Sequence, residues 1–274
     1  MKIVVVGGGW LGLPLAKHLK GLGHIVAVTK TTQEGCLLLE KQGYHSFALS
    51  LGKDLNEEQK EAFETFSPDI IIGCFPPGLR AKKPANYVEN WSQLSKLAHT
   101  VKAQKVIMIS TSGVYPALAE KMYECRELAS QPHDSKQNLL YKGELEVING
   151  GVPYSILRCS GLIGPNRHPA RFAPRLKAIS DKAPANMVHL DDVIAAIVFM
   201  LENGTNQIFN VTTPETVSKY EFYRRATGLY HEPFSMPAPV HTPDKQIMAD
   251  KLVNTGFTFK YPHIFEALDA LGDK

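Results

Sequence analysis

Short apolar runs alternate with stretches of helical periodicity through the first 160 residues. The runs are "KIVVV" (2–6), "HIVAVT" (24–29), "HSFALS" (45–50), "DIIIGCF" (69–75), "KVIMIS" (105–110) and "YSILR" (154–158). Short, nearly unbroken apolar runs of this kind suit strands buried on both faces. Between them, "VENWSQLSKLAHTV" sets Val88, Trp91, Leu94, Leu97 and Val101 at helical spacing, and "NEEQKEAFETF" reads as a solvated helix. The alternation predicts βαβ units and a doubly wound parallel sheet. After Arg158 the texture shifts to the Gly-, Pro- and Arg-rich "CSGLIGPNRHPARFAP", then to a helix in "HLDDVIAAIVFMLENG". The run "QIFNVT" (207–212) predicts one more strand, returning to the first sheet. The remainder mixes helix with turn signals such as "HEPFSMPAPVHTPDK" (231–245).

Composition narrows the class. Apolar residues make up 44% and charged residues 21% of 274, as in a soluble globular chain long enough to bury a large core. The 30 basic and 27 acidic side chains leave a net charge of +3 with no basic block, so neither nucleic acid nor a membrane surface is an expected partner. Cys36, Cys74, Cys125 and Cys159 are widely spaced and form no CxxC, which points to no metal site and no disulfide framework. The N-terminal apolar run enters glycines too early for a signal peptide, and no later segment has the length of a membrane span. A cytoplasmic location follows as the expectation.

The most specific local signal is "VVVGGGWLG", which sets Gly7, Gly9 and Gly12 in a GxGxxG between a strand and a helix. Gly7 suits the tight turn, Gly9 admits a pyrophosphate to the backbone, and Gly12 lets the helix lie close to the sheet. The helix N-terminus offers N–H groups to phosphate. The expected fold is therefore α/β of the Rossmann kind with a small C-terminal α/β substrate lobe. Residues 1–160 plus 185–212 would form the dinucleotide-binding domain, and 161–184 plus 213–274 the lobe. Where the second strand ends, in "VTKTTQEG", no acidic residue stands to accept a ribose hydroxyl. Lys30, with Thr29, Thr31 and Thr32, instead suits a 2′-phosphate, so NADP(H) is favoured over NAD(H). A lysine and three threonines on a solvated loop are the plainer alternative.

With these motifs in place, the chain resembles an atypical extended short-chain dehydrogenase/reductase of the NAD-dependent epimerase/dehydratase superfamily, over nearly its whole length. "MISTSGVYP" resembles the family's strand-5 motif, and the resemblance gives Thr111 the role of its catalytic Ser or Thr. "ILRCSGLIGPNRHP" and "MVHLDDV" resemble later family segments. The family's Tyr-x-x-x-Lys pair is missing from "HDSKQNLLYKGELEV" (133–147). Aligning Glu144 with the family's Glu puts Leu140 at the lysine position and Lys136 at the tyrosine position. Aligning Tyr141 with the tyrosine puts Leu145 at the lysine. Such a pair lowers a phenol's pKa so that it can trade a proton with substrate.

Substitute acid/base candidates are Thr111, Tyr115 and His189, although Tyr115 as a packing residue and His189 as a structural histidine are the blander readings. Arg167 and His168 could face an anionic group or solvent, and Cys74 and Cys159 read as buried small residues near strand ends. The residues expected at the cofactor are Gly7, Gly9, Trp10, Leu11, Gly12, Lys30, Thr31, Thr32, Phe75, Pro76, Ser110, Thr111 and Cys159. The expected function is an NAD(P)-dependent oxidoreductase or epimerase-like enzyme for a small polar, sugar-nucleotide-like substrate, with a nonstandard acid/base set, acting as monomer or homodimer. The alternative is a catalytically inactive NADP(H)-binding redox sensor or regulator.

Overall fold

A computed structural model of the chain describes residues 1–52, 55–78, 86–128, 135–229 and 236–272. His133 and Asp134, and residues 231–235 of the turn-rich segment, lie outside the described residues.

Each of the seven apolar runs is a strand. They are β1 (Lys2–Val6), β2 (Ile25–Lys30), β3 (His45–Ala48), β4 (Ile70–Gly73), β5 (Lys105–Thr111), β6 (Tyr154–Cys159) and β7 (Gln207–Val211). They form one sheet in the order β7-β6-β5-β4-β1-β2-β3. β1 pairs in parallel with β2 on one side and β4 on the other, Val4 lying opposite Ala27 and Ile71. The strand order reverses at β1, the kind of switch point where α/β sheets bind ligands beyond their carboxyl ends. β1 and β4 are buried on both faces, from Ile3 to Val6 and from Ile70 to Gly73, as continuous apolar strands require.

Six helices connect or follow these strands: α1 (Gly12–Gly21), α2 (Gln33–Glu40), α3 (Glu57–Phe66), α4 (Tyr87–Thr100), α5 (Lys136–Ile148) and α6 (Leu190–Phe199). Side chains of Thr32, Asn56 and Ser135 cap α2, α3 and α5, each accepting from the N–H three residues on. α1 buries Leu15, Ala16 and Leu19, and α4 buries Trp91, Leu94 and Ala98. Burying a side chain the size of leucine contributes about 1.5–3 kcal/mol, so these stripes hold the helices to the sheet.

The chain divides into two compact units. One contains Met1–Val114, Leu128–Leu157 and Ile197–Ile208, and the other Tyr115–Glu127, Arg158–Ala196 and Phe209–Lys274. Segments 115–127, 158–160, 185–196 and 209–212, expected with the first domain, thus fall in the second unit. The cause is pairing: Lys121–Met122 pairs with Gln246–Ile247, and Met187–His189 with Gly161–Ile163. The second unit also holds α7 (Lys219–Gly228), α8 (Asp250–Asn254) and α9 (Ile264–Asp269). Its core gathers Ile163, Ala185, Phe222, Ala226, Ile264, Ala267 and Leu268.

Candidate functional site

The turn after β1 is built by its glycines. Gly7 has φ +103°, open to glycine at little cost, and its N–H is donated to Thr29 Oγ1 at 3.3 Å. A methyl group on Gly12 would lie 2.2 Å from the Gly7 carbonyl oxygen, so only glycine lets α1 start this close to β1. A methyl on Gly9 would meet nothing within 4 Å. The backbone there borders open space, which is the cradle a pyrophosphate needs. Helix α1 adds to it: its N-cap residue Leu11 provides no side-chain cap, and its first turn holds no acidic residue to offset the positive dipole end.

This turn opens on a cavity of about 280 Å³ at the carboxyl ends of β1 to β4. Val6, Gly7, Gly8 and Gly9 form its floor, Thr29, Lys30 and Thr31 come from β2, and Leu49 and Leu51 follow β3. Cys74, Phe75 and Pro76 follow β4, and Asn90 comes from α4. No carboxylate stands among these lining residues, and Lys30 is their one cation. Its ammonium donates to the Gly8 carbonyl at 2.5 Å, which ties the end of β2 to the glycine turn. Phe75 packs on Trp91 with ring centroids 4.5 Å apart.

Of the residues expected at the cofactor, the cavity brings together Gly7, Gly9, Lys30, Thr31, Phe75 and Pro76. The others stand elsewhere for identifiable reasons. Thr32 is spent as the cap of α2, accepting from Gly35 N–H at 3.2 Å. Leu11 is buried at the start of α1, Gly12 is packed on Gly7, and Trp10 is half-buried beside them in the turn. Ser110 is buried and donates to Glu144 Oε1 at 2.7 Å. Cys159 is buried in the second unit, where desolvation pushes its thiol pKa up to about 12 and keeps it a neutral, apolar group. Sequence reasoning left out Val6, Gly8, Thr29, Leu49, Leu51, Cys74 and Asn90 from its list. All but Asn90 lie at or within three residues of a strand's carboxyl end, the signal that would have found them; Asn90 lies inside a helix and carried none.

The catalytic candidates separate in the same way. Thr111 is half-buried at the end of β5, its hydroxyl accepting from Gly113 N–H at 3.1 Å. A methyl on Gly113 would lie 3.3 Å from that hydroxyl oxygen and 3.4 Å from Leu140 Cδ1, so Thr111 and α5 share one small space. On α5, Leu140 and Glu144 are buried while Lys136, the first helical residue, is exposed and Tyr141 is partly buried.

Tyr115 lies in the second unit, away from solvent. It is 0% exposed, donates to Asn210 Oδ1 at 2.7 Å and accepts from Arg158 Nη1 at 2.9 Å. His189 is also in the second unit: its Nδ1 accepts from Asp191 N–H at 3.1 Å at the start of α6, and its ring meets Tyr261 edge-on. Burial lowers its pKa, opposed by the Asp191 carboxylate and assisted by Lys260. His168 caps a short helical turn by accepting from Ala170 N–H, so it too has a structural task. Among the described residues, no cluster of His, Cys, Asp or Glu could hold a metal ion, and no helix is long and apolar enough to cross a membrane.

Comparison with known proteins agrees with this arrangement. The chain is 29% identical to protein YeeZ of Escherichia coli K12 over 270 residues, 95% of this chain and 96% of the other. Its fold is similar to that of dTDP-glucose 4,6-dehydratase from Bacillus anthracis, solved in complex with NAD, with a TM-score of 0.78, 16% identity, and coverage of 99% of this chain and 95% of that one. It is also similar to UDP-glucose 4-epimerase from Thermotoga maritima, solved with UDP-glucose, with a TM-score of 0.70, 19% identity, and coverage of 99% and 97%. The model of the NAD dependent epimerase/dehydratase family matches residues 3–212, which include the glycine turn, the cavity and all of the sheet but Lys2. The chain belongs to the NAD dependent epimerase/dehydratase family, and so to the enzymes of the extended short-chain dehydrogenase/reductase type.

Proposed function

We propose that the protein is an NADP(H)-dependent oxidoreductase or epimerase acting on a small polar, sugar-nucleotide-like substrate through a nonstandard acid/base set. The observation that carries the reading is the glycine cradle opening on a cavity with one cation and no carboxylate among its lining residues. The Gly7–Gly9 backbone and the N-terminus of α1 would hold the pyrophosphate. Lys30 and Thr31 would hold a 2′-phosphate, the ammonium turning from the Gly8 carbonyl or bridging to it. An acidic residue at this place would repel that phosphate, and none stands among the described residues that line the cavity. When bound, the nicotinamide supplies or accepts a hydride. The family and the sugar-nucleotide enzymes among its structural relatives support the substrate class.

The sequence of α5 has no Tyr-x-x-x-Lys spacing, since Tyr141 is followed at once by Lys142 and four residues on by Leu145. The Ser110–Glu144 bond favours the alignment through Glu144, which leaves Lys136 and Leu140 at the tyrosine and lysine positions. Thr111 then remains as the polar group of β5 next to that face. The buried Leu140 also favours a second reading, a nucleotide-binding regulator without turnover. The experiment is calorimetric binding of NADPH, followed by NADPH oxidation with a panel of keto-sugar nucleotides and simpler carbonyl compounds. Binding with turnover supports the enzyme, binding without turnover across the panel supports the regulator, and absence of binding overturns both.

A further inference from the structure

The end of the sheet opposite the glycine turn carries an open groove of about 740 Å³, lined in part by Lys2, Ile25 and His45, the first residues of β1, β2 and β3. Nucleotide chemistry does not account for it, because α/β sheets bind nucleotides beyond the carboxyl ends of their strands. Its floor is aromatic. His45 stacks on Phe66 with ring centroids 5.2 Å apart, and Phe47 meets the same ring at 6.5 Å. Ile25 extends this apolar surface at 59% exposure, although the four residues after it in β2 are buried.

Helix α3 forms one wall. Glu58, Glu61 and Thr65 recur along one of its faces and line the groove, while Phe63 and Phe66 are buried. Glu57 is paired with Lys60 at 2.8 Å, but Glu58 and Glu61 are exposed and have no ion-pair partner among the described residues. Lys2, the one lysine or arginine among the described lining residues, holds its ammonium 6.0 Å from the centre of the Phe66 ring. Glu61 and Glu58 lie five and eight residues before Phe66, about 7.5 and 12 Å back along the helix axis. The negative charge is therefore set apart from Lys2, at the far end of the wall. Beside the groove, β3 ends the sheet and, among the described residues, pairs with β2 alone, which leaves one side of its backbone open to a further strand. Its sequence, His-Ser-Phe-Ala, has neither the lysine nor the proline that often blunts such an edge.

We propose that this groove docks a short extended segment of a partner protein. Its basic side chains would meet Glu58 and Glu61, an apolar one would cover Ile25 and Phe66, and its backbone would pair with the open edge of β3. The unpaired carboxylates decide for a basic segment over an acidic one. The spacing also fits: side chains on one face of an extended chain recur about every 6.6 Å, near the roughly 5–6 Å between helix positions three apart.

The test is fluorescence anisotropy with a labelled acetyl-Lys-Thr-Lys-Thr-Ile-amide peptide and a counterpart with Glu in place of Lys. Wild type is expected to bind the Lys peptide about fivefold more tightly or better, and Glu58→Gln with Glu61→Gln to remove that preference. Ile25→Ser should weaken the Lys peptide as well. These side chains are exposed, so thermal melts of the variants should match wild type; on wild type alone, added salt should weaken the Lys peptide. No binding of the Lys peptide at millimolar concentration, equal affinity for the two peptides, or wild-type affinity in the variants or in high salt overturns the proposal. Lysine amide that binds as tightly as the peptide overturns it in favour of a small amine. A dimer in sedimentation that Ile25→Ser dissolves overturns it in favour of a second copy of this chain.

Discussion

Ser110 and Glu144 lie 34 residues apart in the chain and share a buried hydrogen bond, Oγ donating to Oε1 at 2.7 Å. Glu144 is 0% exposed. The bond fixes α5 against β5 in one register, with Leu140 one turn before Glu144 and Lys136 one turn before that. Removing the donor leaves a buried carboxyl short of a partner, so Ser110→Ala should cost about 1–3 kcal/mol of stability. Glu144→Gln, which keeps an acceptor at the same place, should cost less. Denaturant unfolding measures both, and equal losses from the two would mean that the bond contributes little.

The same register bears on Tyr141. It is one residue off the Leu140 position, and one residue turns a side chain about 100° around a helix. Tyr141→Phe should leave nucleotide binding, and any turnover found, within about twofold, whereas losing a general acid/base costs about a hundredfold or more. A hundredfold loss would restore Tyr141 as the catalytic tyrosine and displace the Glu144 alignment.

Lys30 is the one cation among the described residues that line the cavity. Lys30→Ala should weaken NADPH binding by about tenfold, the scale of a charge-assisted contact to phosphate, and leave NADH nearly unchanged. Calorimetry giving equal losses for both would assign Lys30 only to its bond with Gly8.

The glycines of the turn divide into two kinds. A side chain at Gly9 meets nothing within 4 Å, while one at Gly12 runs into the Gly7 carbonyl. Gly9→Val should therefore fold with near-normal stability and fail to bind NADPH, because it fills ligand space. Gly12→Ala should lose stability outright. Thermal melts and calorimetry separate the two, and a Gly9→Val protein that binds normally would make this turn purely structural.

His189 sets a pH dependence. Its folded pKa is lowered below 6.5, chiefly by burial, so between the two values the unfolded chain binds more protons than the folded one. Stability then rises with pH in that window. The contribution is complete above the unfolded pKa and is lost as pH falls through the folded one. Asp191, also lowered, and Asp192, raised by burial, act around the carboxylate value of 3.8 and in opposite directions. His189→Asn should flatten the decline in stability just below pH 6.5, and an unchanged slope in urea unfolding would assign that decline to other groups.

The sheet was legible because its strands are apolar on both faces, a pattern few other elements share, and the glycine turn because its spacing has steric meaning. The cavity was legible only where its residues follow a strand. Lys30 and Phe75 could be placed from the ends of β2 and β4, but Asn90 depends on how α4 meets Gly52, 38 residues earlier in the chain. Tyr115 shows the same limit, because a motif records residue types and not burial: its hydroxyl is engaged by Asn210 and Arg158, 95 and 43 residues further along.

The chain has two tryptophans, and both belong to the first unit: Trp10 in the glycine turn, and Trp91 in α4, fully buried against Phe75. Intrinsic emission of this protein is therefore a local signal. In a denaturation series the tryptophan emission follows the first unit, while backbone circular dichroism sums over both. Two transitions that coincide would mean that the units unfold together; two that separate would give the order in which they come apart, with no label added and no residue changed.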